Sequence, residues 1–100
     1  MALEITGTIE LSSGVVINSA YARVNPSLDT SGNKVFTSVN FWLSETDYDD
    51  NKWPLDYNAY TENRFDYDRT TDGNDILLFA NEQIKSQLEA KGFSVTIIEL

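Results

Sequence analysis

The residues with the clearest chemical potential are the carboxylates of an acidic stretch, Glu45, Asp47, Asp49 and Asp50. Carboxylate oxygens are the ligands that hard divalent cations such as Ca²⁺ prefer. This stretch lacks both the fixed glycine and the terminal bidentate acid of a calcium-binding loop. We therefore expect a solvated acidic loop here, and no metal site.

A second acidic pattern, Asp68 to Gly73, resembles the first half of an EF-hand loop if Thr70 is accepted as a ligand. The pattern fails at the last ligand position, where Phe79 stands in place of the required glutamate. Capping of a helix explains the polar residues up to Asp75 without any metal, with Asn74 or Asp72 as the expected cap.

The composition removes several kinds of catalysis. The chain has 0 cysteines and 0 histidines, which excludes thiolate and histidine chemistry, disulfides and zinc sites built from these residues. Paired carboxylates remain as candidates for glycoside hydrolysis, but a 100-residue domain with one helix offers little room for a deep cleft. We predict a protein that is not an enzyme, with no catalytic residues and no cofactor.

The charge balance also limits the partners. Seven basic residues against sixteen acidic ones give a formal net charge of -9, which argues against direct binding of nucleic acid or of anionic lipid. Residues 45–75 carry ten of the sixteen acidic residues, so most of the excess negative charge lies in this stretch.

Aromatic residues concentrate in the same part of the chain, because residues 41–67 hold eight of the twelve. Tryptophan and tyrosine are enriched at protein interfaces, where they bury a large area and keep a polar group. The alternative is that Trp42 and Phe65 belong to the core and the tyrosines flank a long loop. The candidate interaction residues are Trp42, Tyr48, Trp53, Tyr57 and Tyr60.

The elements that must position these residues begin with two strands. Apolar residues alternate with polar ones from Leu3 to Leu11, and Gly7 on the apolar face indicates a bulge or a close approach. A glycine turn separates this strand from a second one over residues 15–24, which predicts an antiparallel hairpin. We expect Asn25–Pro26 to end the second strand, because proline has no N–H to donate to a ladder.

A third strand is predicted over residues 34–44, with large apolar residues on both faces, so it is either central or covered. An irregular fourth strand is predicted over residues 57–67. The spacing of Leu77, Ala80, Ile84 and Leu88 predicts an amphipathic helix that stops at Gly92. Residues 93–100 then form a last strand.

The predicted order is therefore β-β-β-(β)-α-β. This order predicts an α+β fold, a mostly antiparallel sheet of four to five strands with one amphipathic helix near the C-terminus. Residues 1–100 form a single domain with an acidic, aromatic-rich loop region at 45–73. No membrane-spanning segment and no secretory signal are expected. If the first or the last strand is a sheet edge, strand addition between subunits becomes plausible.

Three segments carry a resemblance to a known class of proteins: residues 5–11 (ITGTIEL), 19–24 (SAYARV) and 87–93 (QLEAKGF). In pattern, the chain resembles short structural and accessory virion proteins of tailed bacteriophages of gut bacteria. The resemblance implies a non-catalytic component that is present in several copies and localises to the virion after assembly in the cytoplasm of the bacterial host. It assigns no functional residues.

The sequence thus predicts a non-enzymatic structural or assembly protein that associates with itself or docks on a capsid or tail partner. One alternative is a small carbohydrate-binding module in which Trp42, Trp53 and Tyr57 stack on sugar rings. A third hypothesis, an acidic mimic of nucleic acid that inhibits a host protein, depends only on the net charge.

Overall fold

A computed structural model describes residues 1–57 and 62–99 of the chain. Five strands form one antiparallel sheet in the order β4-β3-β2-β1-β5. The strands are β1 (Ala2–Glu10), β2 (Val16–Leu28), β3 (Lys34–Trp42), β4 (Arg64–Asp66) and β5 (Ser94–Ile98). The helices of the described residues are α1 (Glu45–Asp49), α2 (Arg69–Asp72) and α3 (Ile76–Ala90). The predicted α+β class is confirmed, with the amphipathic helix near the C-terminus.

The predicted hairpin of β1 and β2 contains a bulge at Gly7. The pairing of the two strands shifts by one residue between Thr6 and Ile9, and Gly7 adopts φ 150°. The aromatic ring of Phe93 lies directly over this glycine, because a Cβ added there would be 2.6 Å from a ring carbon. Both expected roles of Gly7, the bulge and the close approach, are therefore present.

The core lies between one face of the sheet and α3. Leu3 and Ile5 of β1 and Val95 of β5 are buried against Ile84 and Leu88 of the helix. Burial of these aliphatic side chains contributes about 1.5 to 3 kcal/mol each and is the main force that joins helix to sheet.

The predicted stop of α3 at Gly92 is confirmed. Gly92 adopts φ 98°, and its N–H donates to the carbonyl of Glu89 at 3.0 Å. The next residue, Phe93, donates to the carbonyl of Leu88 at 3.2 Å, which completes a Schellman motif. This turn brings Phe93 onto Gly7 and starts β5 beside β1.

The predicted end of the second strand at Pro26 is wrong, since β2 continues to Leu28. Pro26 lies opposite Thr37 of β3, and the N–H of Thr37 donates to Asn63 on the other side. Proline is tolerated because the pairing of Pro26 with Thr37 requires no backbone N–H from Pro26. On the other side of β2, the pairing with β1 reaches only as far as Ala22, so no N–H is required there either.

The expected caps of α3, Asn74 and Asp72, are also wrong. The carboxylate of Asp75 accepts a hydrogen bond from the N–H of Leu78 at 3.0 Å and is the N-cap. Asp72 belongs to α2 instead, where its carboxylate accepts from the N–H of Asp68.

Two short helices lie inside the stretch that was expected to be a loop, residues 45–73. Helix α1 follows β3, which ends at Trp42, and α2 precedes α3. The fourth strand is shorter than predicted, with three residues, and part of its predicted span, residues 58–61, lies outside the described residues. No described helix has the length and the apolar character needed to cross a membrane.

Replacement of Gly7 by alanine tests the contact with Phe93. We expect Gly7→Ala to lower the free energy of unfolding by about 2 to 4 kcal/mol, because the new methyl group meets the ring and the backbone becomes strained. Gly14→Ala is the matched control, since Gly14 has φ 87° but open space around it. The control should lose only about 1 to 2 kcal/mol from backbone strain. Equal losses in urea unfolding would contradict the contact.

Candidate interaction surfaces

The face of the sheet opposite α3, here called the outer face, is partly covered by α1. Strand alternation places five of its large side chains on that side: Glu4, Tyr21, Arg23, Phe36 and Trp42. Ser44 is the N-cap of α1, and its hydroxyl accepts a hydrogen bond from the N–H of Asp47 at 3.3 Å. This cap turns the chain directly after β3, so that α1 lies against the end of the outer face.

Three rings on this face form an aromatic cluster, Tyr21, Trp42 and Tyr48. Tyr48 of α1 stands edge-on to Trp42 with ring centroids 4.9 Å apart, and its centroid lies 5.7 Å from that of Tyr21. The indole N–H of Trp42 donates to the carbonyl of Lys52 at 2.9 Å, which fixes the chain beyond α1. The cluster therefore attaches α1 to the sheet.

Arg23 supplies the charge in this cluster. The central carbon of its guanidinium lies 4.3 Å from the ring centroid of Tyr48, in cation–π contact, and 5.7 Å from that of Tyr21. One guanidinium nitrogen donates to the carbonyl of Met1 at 3.3 Å. Arg23 thus links the start of β1 to α1 across the outer face.

Tyr21 is the most deeply buried member of the cluster, with 2% of its surface exposed. Its hydroxyl has no hydrogen-bond partner among the described residues. Burial raises the pKa of Tyr21 above its ordinary value of 10.0, the guanidinium of Arg23 opposes this rise, and the carboxylates of Glu45 and Asp49 add to it.

Trp53 lies next to this cluster and is almost fully solvated. Its side chain is 92% exposed, whereas Trp42 is half-buried. An exposed indole is common at protein interfaces, because docking buries a large apolar area at little entropic cost. The hydrogen bond from Trp42 to Lys52, the residue before Trp53, holds the base of this side chain in place.

The structure divides the five predicted interaction residues. Trp42 and Tyr48 are in contact, and Trp53 follows them in the loop after α1. Tyr57 is half-buried and packs against Phe41 of the core, with centroids 5.0 Å apart. Tyr60 lies outside the described residues. An interaction role for these residues stays a prediction, and only the first three share a region.

Sequence reasoning missed Tyr21 and Arg23 as members of the cluster. Their spacing of two residues in a strand places both side chains on one face. Tyr21 also pairs with Trp42 across β2 and β3. The sequence shows that Tyr21 and Arg23 lie on the same face of a strand, but it does not show the strand register that places Tyr21 opposite Trp42.

The carboxylate of Asp68 stabilises the start of α2. The carboxylate of Asp68 accepts from the N–H of Thr70 at 2.9 Å and from its hydroxyl at 2.7 Å. These bonds from Thr70 hold the pKa of Asp68 below its ordinary value. Within residues 1–57 and 62–99, no three acidic residues are grouped so that they could hold a metal ion.

A shallow cleft of about 250 Å³ separates the outer face from the start of α1. Its polar lining combines two carboxylates, of Glu4 and Glu45, with the hydroxyl-bearing residues Thr6, Ser19, Tyr21 and Ser44. Tyr21 is the one aromatic residue of this lining and is already buried in the cluster, so the cleft offers no free ring for sugar stacking.

One edge of the sheet, formed by β4, is protected by the chain itself. Strand β4 pairs with the first residues of β3, and Lys34 forms an ion pair with Asp66. Further along β3, the N–H of Leu55 donates to the carbonyl of Phe41 at 2.7 Å. Charged residues, a short strand and a covering segment are the usual protections of a sheet edge.

The opposite edge, formed by β5, lacks these protections. Strand β5 pairs with β1 on one side and has no neighbouring strand on the other in the described part of the chain. Its five residues, SVTII, include no charge and no proline. The nearest charged residues in sequence are Lys91 before it and Glu99 after it, both exposed. We call this side of β5 the open edge.

No protein-family model, curated protein or solved structure matches this chain. The resemblance to virion proteins of bacteriophages therefore stays a prediction. The two candidate interaction surfaces are the aromatic cluster with Trp53 and the open edge of β5.

The two tryptophans should differ strongly in their contribution to stability. Trp42→Ala removes the contact with Tyr48 and the hydrogen bond to Lys52, and we expect it to lower the free energy of unfolding by about 2 to 3 kcal/mol. Trp53→Ala removes a solvated side chain and should change it by less than about 0.5 kcal/mol. Denaturant unfolding followed by circular dichroism measures both. A large loss in Trp53→Ala would show that its indole is buried.

Tyr21 should make folding sensitive to alkaline pH. A raised pKa in the folded state means that the folded protein holds the phenolic proton more tightly than the unfolded chain. This contribution to stability is complete below pH 10 and is lost as the pH rises through the folded-state pKa.

Tyr21→Phe should therefore reduce the loss of stability above pH 10, while at neutral pH it removes an unpartnered buried hydroxyl at little cost. The free energy of unfolding of both proteins is measured as a function of pH. Parallel curves for the variant and the unmodified protein would be inconsistent with a buried Tyr21 hydroxyl.

Proposed function

We propose that this protein is a non-enzymatic assembly protein that associates with itself by continuing its sheet. The observation that carries the proposal is the difference between the two sheet edges. One edge is protected by the short, charged strand β4 and by the hydrogen bond from Leu55 to Phe41, whereas β5 is uncharged and, among the described residues, has no strand on its outer side. Edges of this kind pair readily with another chain.

The backbone of β5 supplies the energy of this association. Each hydrogen bond that a partner strand adds contributes about 0.5 to 1.5 kcal/mol net. A strand of five residues has several outward N–H and C=O groups. The summed free energy of these hydrogen bonds offsets part of the cost of the translational and rotational entropy that is lost on association. Burial of neighbouring apolar side chains must offset the remainder.

The virion setting of this function is proposed from the resemblance to accessory proteins of tailed bacteriophages. Proteins that are repeated in a shell or tail need one contact for self-association and a second surface for the partner on which they dock. Trp53 and the aromatic cluster lie at the β3 end of the sheet, apart from the open edge. We propose that this region meets the capsid or tail partner.

The geometry gives less support to the alternatives. A sugar-binding platform needs Trp42, Trp53 and Tyr57 on one surface, but Trp42 is engaged with Tyr48 and Tyr57 packs against the core. Mimicry of nucleic acid has no observation beyond the net charge of -9.

Solution mass tests the proposal. We expect multi-angle light scattering across a micromolar concentration series to show a discrete oligomer that dissociates on dilution. Thr96→Lys, which places a charge on the open edge, should raise the dissociation constant at least about tenfold. The matched control is Ser38→Lys, an equally exposed position of β3 away from that edge.

A monomer at every concentration would overturn self-association as the function. Equal weakening by Thr96→Lys and by Ser38→Lys would show that the added charge, and not its place on β5, is responsible.

A further inference from the structure

We propose that the cleft between the outer face and the start of α1, here called the acidic cleft, binds an arginine side chain of a partner protein. This inference rests on the docking part of the proposed function and is independent of association along β5. It specifies the partner by its chemistry, an arginine exposed on its surface. The charge of the cleft, an unpartnered hydroxyl in its lining and its size each point to this occupant.

The charged residues that line the acidic cleft are both negative. Glu4 comes from β1 and Glu45 from the first turn of α1, and both are exposed. In the described part of the chain, neither carboxylate forms an ion pair. The guanidinium of Arg23, on the same face, is engaged with the ring of Tyr48 and the carbonyl of Met1 instead. The cleft therefore favours a cation from outside the chain.

A buried hydroxyl in the same lining lacks a partner. Tyr21 lines the cleft, is 2% exposed, and its hydroxyl has no hydrogen-bond partner among the described residues. Burial raises the pKa of this hydroxyl and the negative charge of Glu45 raises it further, so the two groups lie close together. A buried polar group without a partner costs free energy, which a hydrogen bond from a ligand recovers.

A guanidinium matches these acceptors better than an ammonium does. It carries five N–H donors in a planar fork, whereas an ammonium has three and is more strongly hydrated. One guanidinium can therefore donate to both carboxylates and to a hydroxyl at the same time. Thr6 and Ser19, both exposed, add two further hydroxyls to the lining.

The dimensions of the cleft suit a single side chain. Its volume of about 250 Å³ is below the roughly 300 to 1,000 Å³ of pockets that take drug-sized ligands. Leu43 also lines it and is 48% exposed, so it offers apolar surface to the methylene groups of a long basic side chain. We therefore infer a side chain presented by a partner protein as the occupant.

The helix beside the cleft favours the approach of such a partner. Residues 45–50 contain four carboxylates and no basic residue. A concentration of one sign of charge attracts a partner of the opposite sign before contact and makes the association rate depend on salt. The same charges disfavour an acidic partner surface at this end of the sheet.

Titration with a blocked arginine tests the site. N-acetylarginine amide is added to the ¹⁵N-labelled full chain, and amide shifts are followed by NMR at physiological salt. We expect a dissociation constant of about 1 to 10 mM, typical of one small charged group, with shifts concentrated at residues 4–6, 19–21 and 43–45. The neutral isostere, N-acetylcitrulline amide, should bind at least about tenfold more weakly. N-acetyllysine amide should bind at least about threefold more weakly than the arginine compound.

Three substitutions locate the binding. Glu4→Gln and Glu45→Gln should each weaken binding of the arginine compound at least about fivefold. Tyr21→Phe keeps both carboxylates and should weaken it about threefold, because one acceptor is lost. The matched control is Glu82→Gln, which changes the net charge equally at an exposed position of α3, on the other side of the sheet, and should stay within about twofold.

The same spectra show whether each variant is folded. Glu45 lies in the first turn of α1, where a negative charge favours the helix. If Glu45→Gln disturbs α1, Glu4→Gln and Tyr21→Phe carry the test, since neither residue belongs to that helix.

The outcomes separate this site from the proposed function. Shifts confined to the cleft, weakened in its variants and dependent on the guanidinium, support the site. Equal binding of the arginine and citrulline compounds, equal weakening by Glu82→Gln, or shifts spread over all acidic surfaces would overturn it. Equal binding of the lysine compound would overturn the choice of arginine. None of these results bears on the solution mass, which tests self-association along β5 separately.

Discussion

One long helix must bury one face of a five-stranded sheet, and this constraint determines which surfaces remain exposed. Helix α3 packs mainly against β2 and β5, so the buried aliphatic residues of the sheet lie on that side. Its exit through Gly92 places the ring of Phe93 over the bulge at Gly7. That contact fixes β5 beside β1 as the outermost strand, and no strand of the described residues pairs with its other side.

The outer face has no second long helix among the described residues, and a short helix consolidates only one end of it. Helix α1 has five residues, too few for stable helix formation in isolation. Contacts with Trp42, Tyr21 and Arg23 hold it in place through Tyr48. A cation–π contact of Arg23 with Tyr48 joins a charged strand residue to this helix. Trp53 follows this anchored segment, and its side chain is 92% exposed.

Much of this fold could be predicted from local patterns, because the signals for β1, α3 and its glycine stop act within a few residues. The errors arise where a neighbour in space decides the outcome. Pro26 looks like a strand terminator, but its pairing with Thr37 requires no donor. Asp72, Asn74 and Asp75 are all plausible caps, and only the path of the chain through α2 selects Asp75. Helix α1 depends on contacts of Tyr48 with Trp42 and Tyr21, which cannot be predicted from the helix propensity of residues 45–49.

The candidate surfaces were predictable in part for the same reason. Aromatic enrichment identified Trp42, Tyr48 and Trp53 but grouped them with Tyr57, which the fold places against Phe41. Tyr21 and Arg23 join the cluster through strand register, which is a long-range property. The sequence also allowed β1 or the last strand to be an edge. The order of strands decides between them, because β1 is enclosed by β2 and β5.

Amide hydrogen exchange at increasing protein concentration tests the central claim, that the protein associates with itself along the open edge of β5. The account predicts that protection rises with concentration for the outward amides of residues 93–99, while β2 and β3 change little. Exchange in β5 that is independent of concentration, in a protein whose mass shows association, would contradict it. The copies would then meet through another surface.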